Sequence, residues 1–140
     1  MPGFEADGAK KLLIVDDSLQ VQTLLRHVFS EIGYRVSAIG GEADVLGTIL
    51  AIRPDLLVMN VRVGEKSGIR FCQQLTERAM LPDLPVIFMA HSADVTLVQA
   101  AMQAGAVGFF TKPLEVQEMC ARVDDVLGRT LRASDRAAAA

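Results

Sequence analysis

Asp16 and Asp17 stand directly after an apolar run, Lys11-Leu12-Leu13-Ile14-Val15. Asn60 closes a second run, Pro54-Asp55-Leu56-Leu57-Val58-Met59-Asn60, and Lys112-Pro113 follows a third segment, Val107-Gly108-Phe109-Phe110. Two adjacent carboxylates repel each other, so a pocket that keeps both ionised offers them a cation. Oxygen-only ligands point to Mg²⁺, which retains several waters and completes its shell with carboxylates, a backbone carbonyl and a phosphate. A nearby lysine can hold a phosphoryl oxygen as a point charge. An acid pair, a lysine and a third carboxylate would make a phosphoryl-transfer pocket. With Asn60 as the third member the pocket lacks its nucleophile, because a neutral amide oxygen attacks phosphorus poorly and yields no stable acyl phosphate. The pair Asp16-Asp17 alone says little, since carboxylates at a strand-to-helix turn also cap helices.

These residues meet only if the runs are strands of one sheet. Lys11 to Val15 is short, continuously apolar and rich in branched side chains, as a strand buried on both faces would be. From Ser18 the period becomes helical, with Val21, Leu24, Leu25, Val28, Phe29 and Ile32 along one side. Gly33 is the stop, and Ser18 or Asp17 the N-cap. The alternation repeats: strand 34–39, helix 42–52, strand 55–59, helix 67 to about 79, strand 85–89, helix 93–104, strand 107–110 and helix 115 to about 131. Strict βα alternation with short connections requires right-handed crossovers, so the expected fold is α/β, a doubly wound five-stranded parallel sheet flanked by five helices. Ligand chemistry in such sheets belongs outside the carboxyl ends of the strands. The candidate segments are therefore Asp16-Asp17, Asn60 to Gly68, Ala90-His91-Ser92 and Thr111-Lys112-Pro113.

A chain of 140 residues, 51% hydrophobic and 22% charged, has core material for one domain. We expect a polar tail at 1–10, the folded domain at 11–128, and a helix extension, tail or linker start at 129–140. The formal charge of −3 gives no long-range attraction for nucleic acid. No stretch approaches the roughly 20 apolar residues that cross a bilayer, and Met1 to Ala9 lacks a basic leader followed by an apolar run. The expected location is the cytoplasm, with no membrane partner. Cys72 and Cys120 fall on apolar helical faces and read as buried small hydrophobes. His27 reads as a surface or boundary residue. No Ser-His-Asp set, metal-histidine cluster or glycine-rich nucleotide loop is present, so the chain is not expected to be an enzyme.

The combination is more specific than its parts: an apolar strand then Asp-Asp, a Pro-Asp strand ending eight positions before Gly68, a Pro-Val-Ile strand, and Gly-Ala before Phe109-Phe110-Thr111-Lys112-Pro113. Together these resemble the receiver domain of two-component response regulators, with matches from Lys11 to about Leu127. The resemblance implies a flavodoxin-like sheet of order 2-1-3-4-5, Mg²⁺ at Asp16 and Asp17, and at Asn60 a position normally held by an aspartate that takes a phosphoryl group from a histidine kinase. It further implies that Ala90 stands where Ser or Thr follows the phosphoryl group and that Phe109 is the switching aromatic. Lys112 would be the pocket lysine, before a cis Pro113.

Asn60 and Ala90 depart together from that pattern, since one lacks the nucleophile and the other the hydroxyl that couples phosphate to loop movement. Three carboxylates, a lysine and Mg²⁺ sum to about zero charge, whereas two leave about +1, so any Mg²⁺ held by Asp16, Asp17 and Asn60 is expected to be weak or vestigial. Without metal, Lys112 can pair with Asp16 or Asp17. His91 replaces a small residue and either covers the pocket entrance or stays solvated, and Arg62 either lies over the pocket or points to solvent. Glu65 is a substitute carboxylate of low promise. Gly64, where the family commonly has proline, is expected to loosen its loop. The expected function is a pseudo-receiver, a phosphorylation-independent protein-interaction module. Its partners, or a second copy forming a homodimer, would bind through the fourth helix, fifth strand and fifth helix at Asp94, Gln99, Gln103, Glu118, Arg122 and Asp125. The alternatives are a conventional phosphorelay receiver with its acceptor aspartate replaced by Asn60, and an anion or small-molecule sensor using His91, Arg62 and Lys112.

Overall fold

The computed structural model describes residues 8–77 and 83–128. Its elements are β1 Lys11–Val15, α1 Leu19–Glu31, β2 Arg35–Ile39, α2 Val45–Ile52, β3 Leu56–Asn60, β4 Arg62–Val63, β5 Lys66–Ser67, α3 Gly68–Glu77, β6 Val86–Ala90, α4 Val95–Gln103, β7 Ala106–Thr111 and α5 Val116–Val126. The main sheet is five-stranded, in the order β2-β1-β3-β6-β7, with every pairing parallel. Counting its strands alone, this is the 2-1-3-4-5 order of a doubly wound sheet.

Residue parity explains why the central strands are apolar throughout. Successive strand side chains point to opposite faces. Leu13, Val15, Leu57, Met59, Val86 and Phe88 therefore pack on one side with Ile49 of α2, Ile69, Cys72 and Leu75 of α3 and Ala101 of α4. Leu12, Ile14, Leu56, Val58, Ile87 and Met89 pack on the other with Leu25 and Phe29 of α1 and Met119 and Val123 of α5. Both faces are covered, so neither can be polar. Between β6 and β7 the register slips once: Val86 faces Ala106, but Ile87 faces Gly108, leaving Val107 as the extra residue of a bulge.

The structure differs from the sequence reading in three places. The inner stripe of α1 is Gln22, Leu25 and Phe29, while Leu24 is 42% and Ile32 36% exposed. A helix lying over a sheet buries residues three and four apart on one line, and positions 24 and 32 fall beside it. Helices α2 and α4 begin at Val45 and Val95, after Asp44 and Asp94 accept the N–H groups of Gly47 and Leu97 as N-caps. The loop after β3 carries local structure that the sequence reading did not place. It forms the antiparallel hairpin β4–β5, in which Arg62 faces Ser67 and Val63 faces Lys66. Gly64 opens its two-residue turn at φ +62°, the positive value that such tight hairpins ask of their first central residue. The expected ends of the third and fifth helices, near 79 and 131, lie outside the described residues, as does the expected extension at 129–140.

Candidate functional site

Register brings the candidate residues together. Val15 faces Met59, so Asp16 and Asn60 are the next residues out on adjacent strands. Asn60 faces Met89, and Ala90 faces Thr111 one step further, with the N–H of Lys112 donating to the Ala90 carbonyl at 2.8 Å. The Lys112–Pro113 bond is cis.

Asp16 is only 2% exposed. Its carboxylate is satisfied on both oxygens: Lys112 Nζ donates to Oδ2 at 2.7 Å and the Ser18 N–H to Oδ1 at 2.8 Å. The Lys112 side chain is itself 11% exposed, so this is a largely desolvated ion pair. Burying such charges is tolerable only when each is paired and hydrogen-bonded. Ser18, not Asp17, caps α1 by accepting the Val21 N–H on its hydroxyl. Gln22, one turn into α1, donates its side-chain amide to the Asp16 carbonyl at 2.7 Å and so fixes the strand end. That role was not anticipated. Its signal is a polar residue inside an otherwise apolar stripe, four positions after the cap.

Asp17 does something different. It is exposed, and its carboxylate accepts the Gly41 N–H on Oδ1 at 2.6 Å and the Gly64 N–H on Oδ2 at 2.7 Å. The two neighbouring acids thus serve different partners. Asn60 donates its Nδ2 to the Arg62 carbonyl at 2.8 Å, and its Oδ1 is buried without a hydrogen-bond partner. Arg62, Glu65 and His91 are all exposed. Among the described residues no group of three or more His, Cys, Asp or Glu side chains is placed to hold a metal, and no helix is long and apolar enough to cross a membrane.

The family model for the response regulator receiver domain matches residues 12–124. This chain belongs to that family. The receiver is 33% identical over 125 residues to the cyclic di-GMP phosphodiesterase response regulator RpfG of Xanthomonas campestris pv. campestris, an alignment covering 88% of this chain and 33% of that protein. It is 34% identical over 128 residues to the response regulator MprA of Mycobacterium ulcerans, covering 91% and 54% respectively. It thus spans between a third and about half the length of these curated relatives. A response regulator structure from Chloroflexus aurantiacus superposes at a TM-score of 0.78 with 30% identity, covering 86% of this chain and 99% of that one. The chemotaxis response regulator CheY4 of Vibrio cholerae, 21% identical, shares the fold at a TM-score of 0.76, over 85% of this chain and 99% of its own. The receiver fold and a role in two-component signalling are therefore established.

Within the receiver, Ala90 is buried, and Phe109 is half-buried against the same core cluster on which Leu97, Ala100 and Ala104 pack. Phe110, one residue on, joins the opposite face, as parity requires. The surface of α4, β7 and α5 exposes Asp94, Gln99, Gln103, Glu118, Arg122 and Asp125. Asp94 is also the α4 cap, which is a structural reason for an acid there.

The thiols have no reactive setting. Burial pushes Cys72 up to about 12, and burial followed by the negative charge of Asp124 raises Cys120. Because the thiolate is the nucleophile, both should be sluggish at pH 8. Titration with a disulfide reagent should label Cys120 slowly and leave Cys72 unlabelled until urea unfolds the receiver. Immediate labelling of both would contradict this account.

Proposed function

We propose that this receiver signals without aspartyl phosphorylation, as a cytoplasmic pseudo-receiver that binds protein partners through α4, β7 and α5. The observation that carries the reading is the state of Asn60. It occupies the strand end where a receiver of the resembled pattern would present a nucleophilic carboxylate, and its amide N–H is engaged by the Arg62 carbonyl. No charged oxygen is available there to attack phosphorus. Ala90 supports the reading, because a buried methyl offers a phosphoryl oxygen no hydrogen bond and so no leverage on the following loop.

A conventional phosphorelay role with a replaced acceptor is the second reading, favoured by the intact Asp16–Lys112 pair at 2.7 Å. An anion sensor has less support, since Lys112, its natural cation, is already engaged by Asp16. Incubation with acetyl phosphate and Mg²⁺ followed by intact mass measurement separates the first reading from a phosphorelay receiver that uses another acceptor. The expected spectrum is unchanged; a gain of one phosphoryl group would return the receiver to the phosphorelay class.

A further inference from the structure

The resemblance to phosphorylated receivers implies a divalent cation at this sheet edge, and the oxygens it would use already accept hydrogen bonds. Lys112 neutralises Asp16, and both Asp16 oxygens accept hydrogen bonds. Each Asp17 oxygen accepts a main-chain N–H, and the Arg62 carbonyl accepts the Asn60 amide. With Lys112 neutralising Asp16, one exposed carboxylate and the neutral Asn60 oxygen supply too little charge for Mg²⁺, and among the described residues no group of three or more His, Cys, Asp or Glu side chains is placed to hold a metal. The residues present do not fit the ion.

What Asp17 does instead follows from where its donors lie. Gly41 belongs to the loop between β2 and α2, and Gly64 to the turn of the β4–β5 hairpin, so one carboxylate joins three loops. The two donor loops touch. A Cβ at position 41 would collide with the Gly64 nitrogen and stand 2.8 Å from both Asp17 Oδ1 and the Val63 carbonyl carbon. Glycine at 41 permits this approach, and the positive φ at Gly64 belongs to the turn that offers the second N–H. We infer that Asp17 is a clasp: its carboxylate holds the hairpin and the 40–44 loop against the end of β1, doing with two main-chain hydrogen bonds the work of gathering loops that a cation would otherwise do. A cation and the clasp then compete for the same carboxylate.

The test is amide hydrogen exchange on the whole chain in EDTA, with no phosphodonor, so its outcome is independent of the reading at Asn60. Hydrogen bonds to a charged acceptor are strong enough that Asp17→Asn should speed exchange in segments 40–46 and 61–68 by about tenfold to a hundredfold, leaving β1 and β3 at the parent rate. Millimolar Mg²⁺ should change neither the exchange nor the melting temperature of the parent chain. Equal exchange in parent and Asp17→Asn overturns the clasp. Slower hairpin exchange on adding Mg²⁺, seen in the parent and lost in Asp17→Asn, makes Asp17 a cation ligand and overturns it as well. If Asp17→Asn does not fold, Gly41→Ala pries the same loops apart from the other side. The same two segments should exchange faster, and unchanged rates there again sink the proposal.

Discussion

Lys112→Met should destabilise the chain by about 3–5 kcal/mol, the range found when one partner of a buried ion pair is removed. The cost arises at Asp16 rather than at Lys112. Asp16 is 2% exposed, and without the ammonium only the Ser18 N–H faces its negative charge. Methionine fills a similar volume, so the loss reads charge and not a cavity. The pair should be strongly coupled: Asp16→Asn/Lys112→Met ought to recover most of the loss, because it removes the stranded charge while leaving an acceptor for Ser18. Urea midpoints of the parent, both single variants and the double variant complete the cycle. A loss below about 1 kcal/mol for Lys112→Met would place the pair among solvent-relaxed surface ion pairs, and the account of a desolvated site would fall.

Asn60→Asp carries the second large effect, with opposite signs in EDTA and in Mg²⁺. The Nδ2 donor to the Arg62 carbonyl at 2.8 Å disappears, and an ionised oxygen faces that carbonyl instead. The atom corresponding to Oδ1, already buried and unpartnered, acquires charge. Unpaired buried polar groups cost about 1–3 kcal/mol and charged ones more, so the variant should be at least about 2 kcal/mol less stable in EDTA. It also restores a third carboxylate to the edge, so millimolar Mg²⁺ should raise its melting temperature while leaving the parent's unchanged. Thermal melts of both chains, with and without the ion, give the answer. Equal stability in EDTA would mean that the Asn60–Arg62 bond contributes nothing.

The layered fold was legible because its cause is local. Continuous apolar runs and residue parity set both faces of the sheet, and Leu12, Leu13, Ile14 and Val15 divide between the two cores as their order requires. The convergence of Asp16, Asn60, Ala90 and Lys112 was legible for the same reason, being a consequence of where strands end. The different tasks of Asp16 and Asp17 were not. Their donors, Lys112, Gly41 and Gly64, come from loops far along the chain, and nothing in an Asp-Asp pair says which acid turns inward. The turn at Gly64 was not legible because conformational freedom in an isolated glycine and the positive φ of a hairpin turn look alike in a sequence. Gln22 was passed over because an apolar stripe invites counting of apolar residues only.

The extra residue at Val107 sets the timing of the last strand. Before it, Val86 is level with Ala106; after it, Phe88 is level with Phe109 and Ala90 with Thr111. Had the strand run on without the slip, each later residue would arrive one place early and on the wrong face. Gly108 would then take the place of Phe109 level with Phe88, Phe109 would turn to the opposite face level with Met89, and Lys112 would overshoot the edge where Asp16 waits. A single extra residue five positions before Lys112 thus works as a phase correction. It means that the bulge is as much a part of the site as the lysine, and that a one-residue insertion between Gly108 and Lys112 would misplace a charge no substitution had touched.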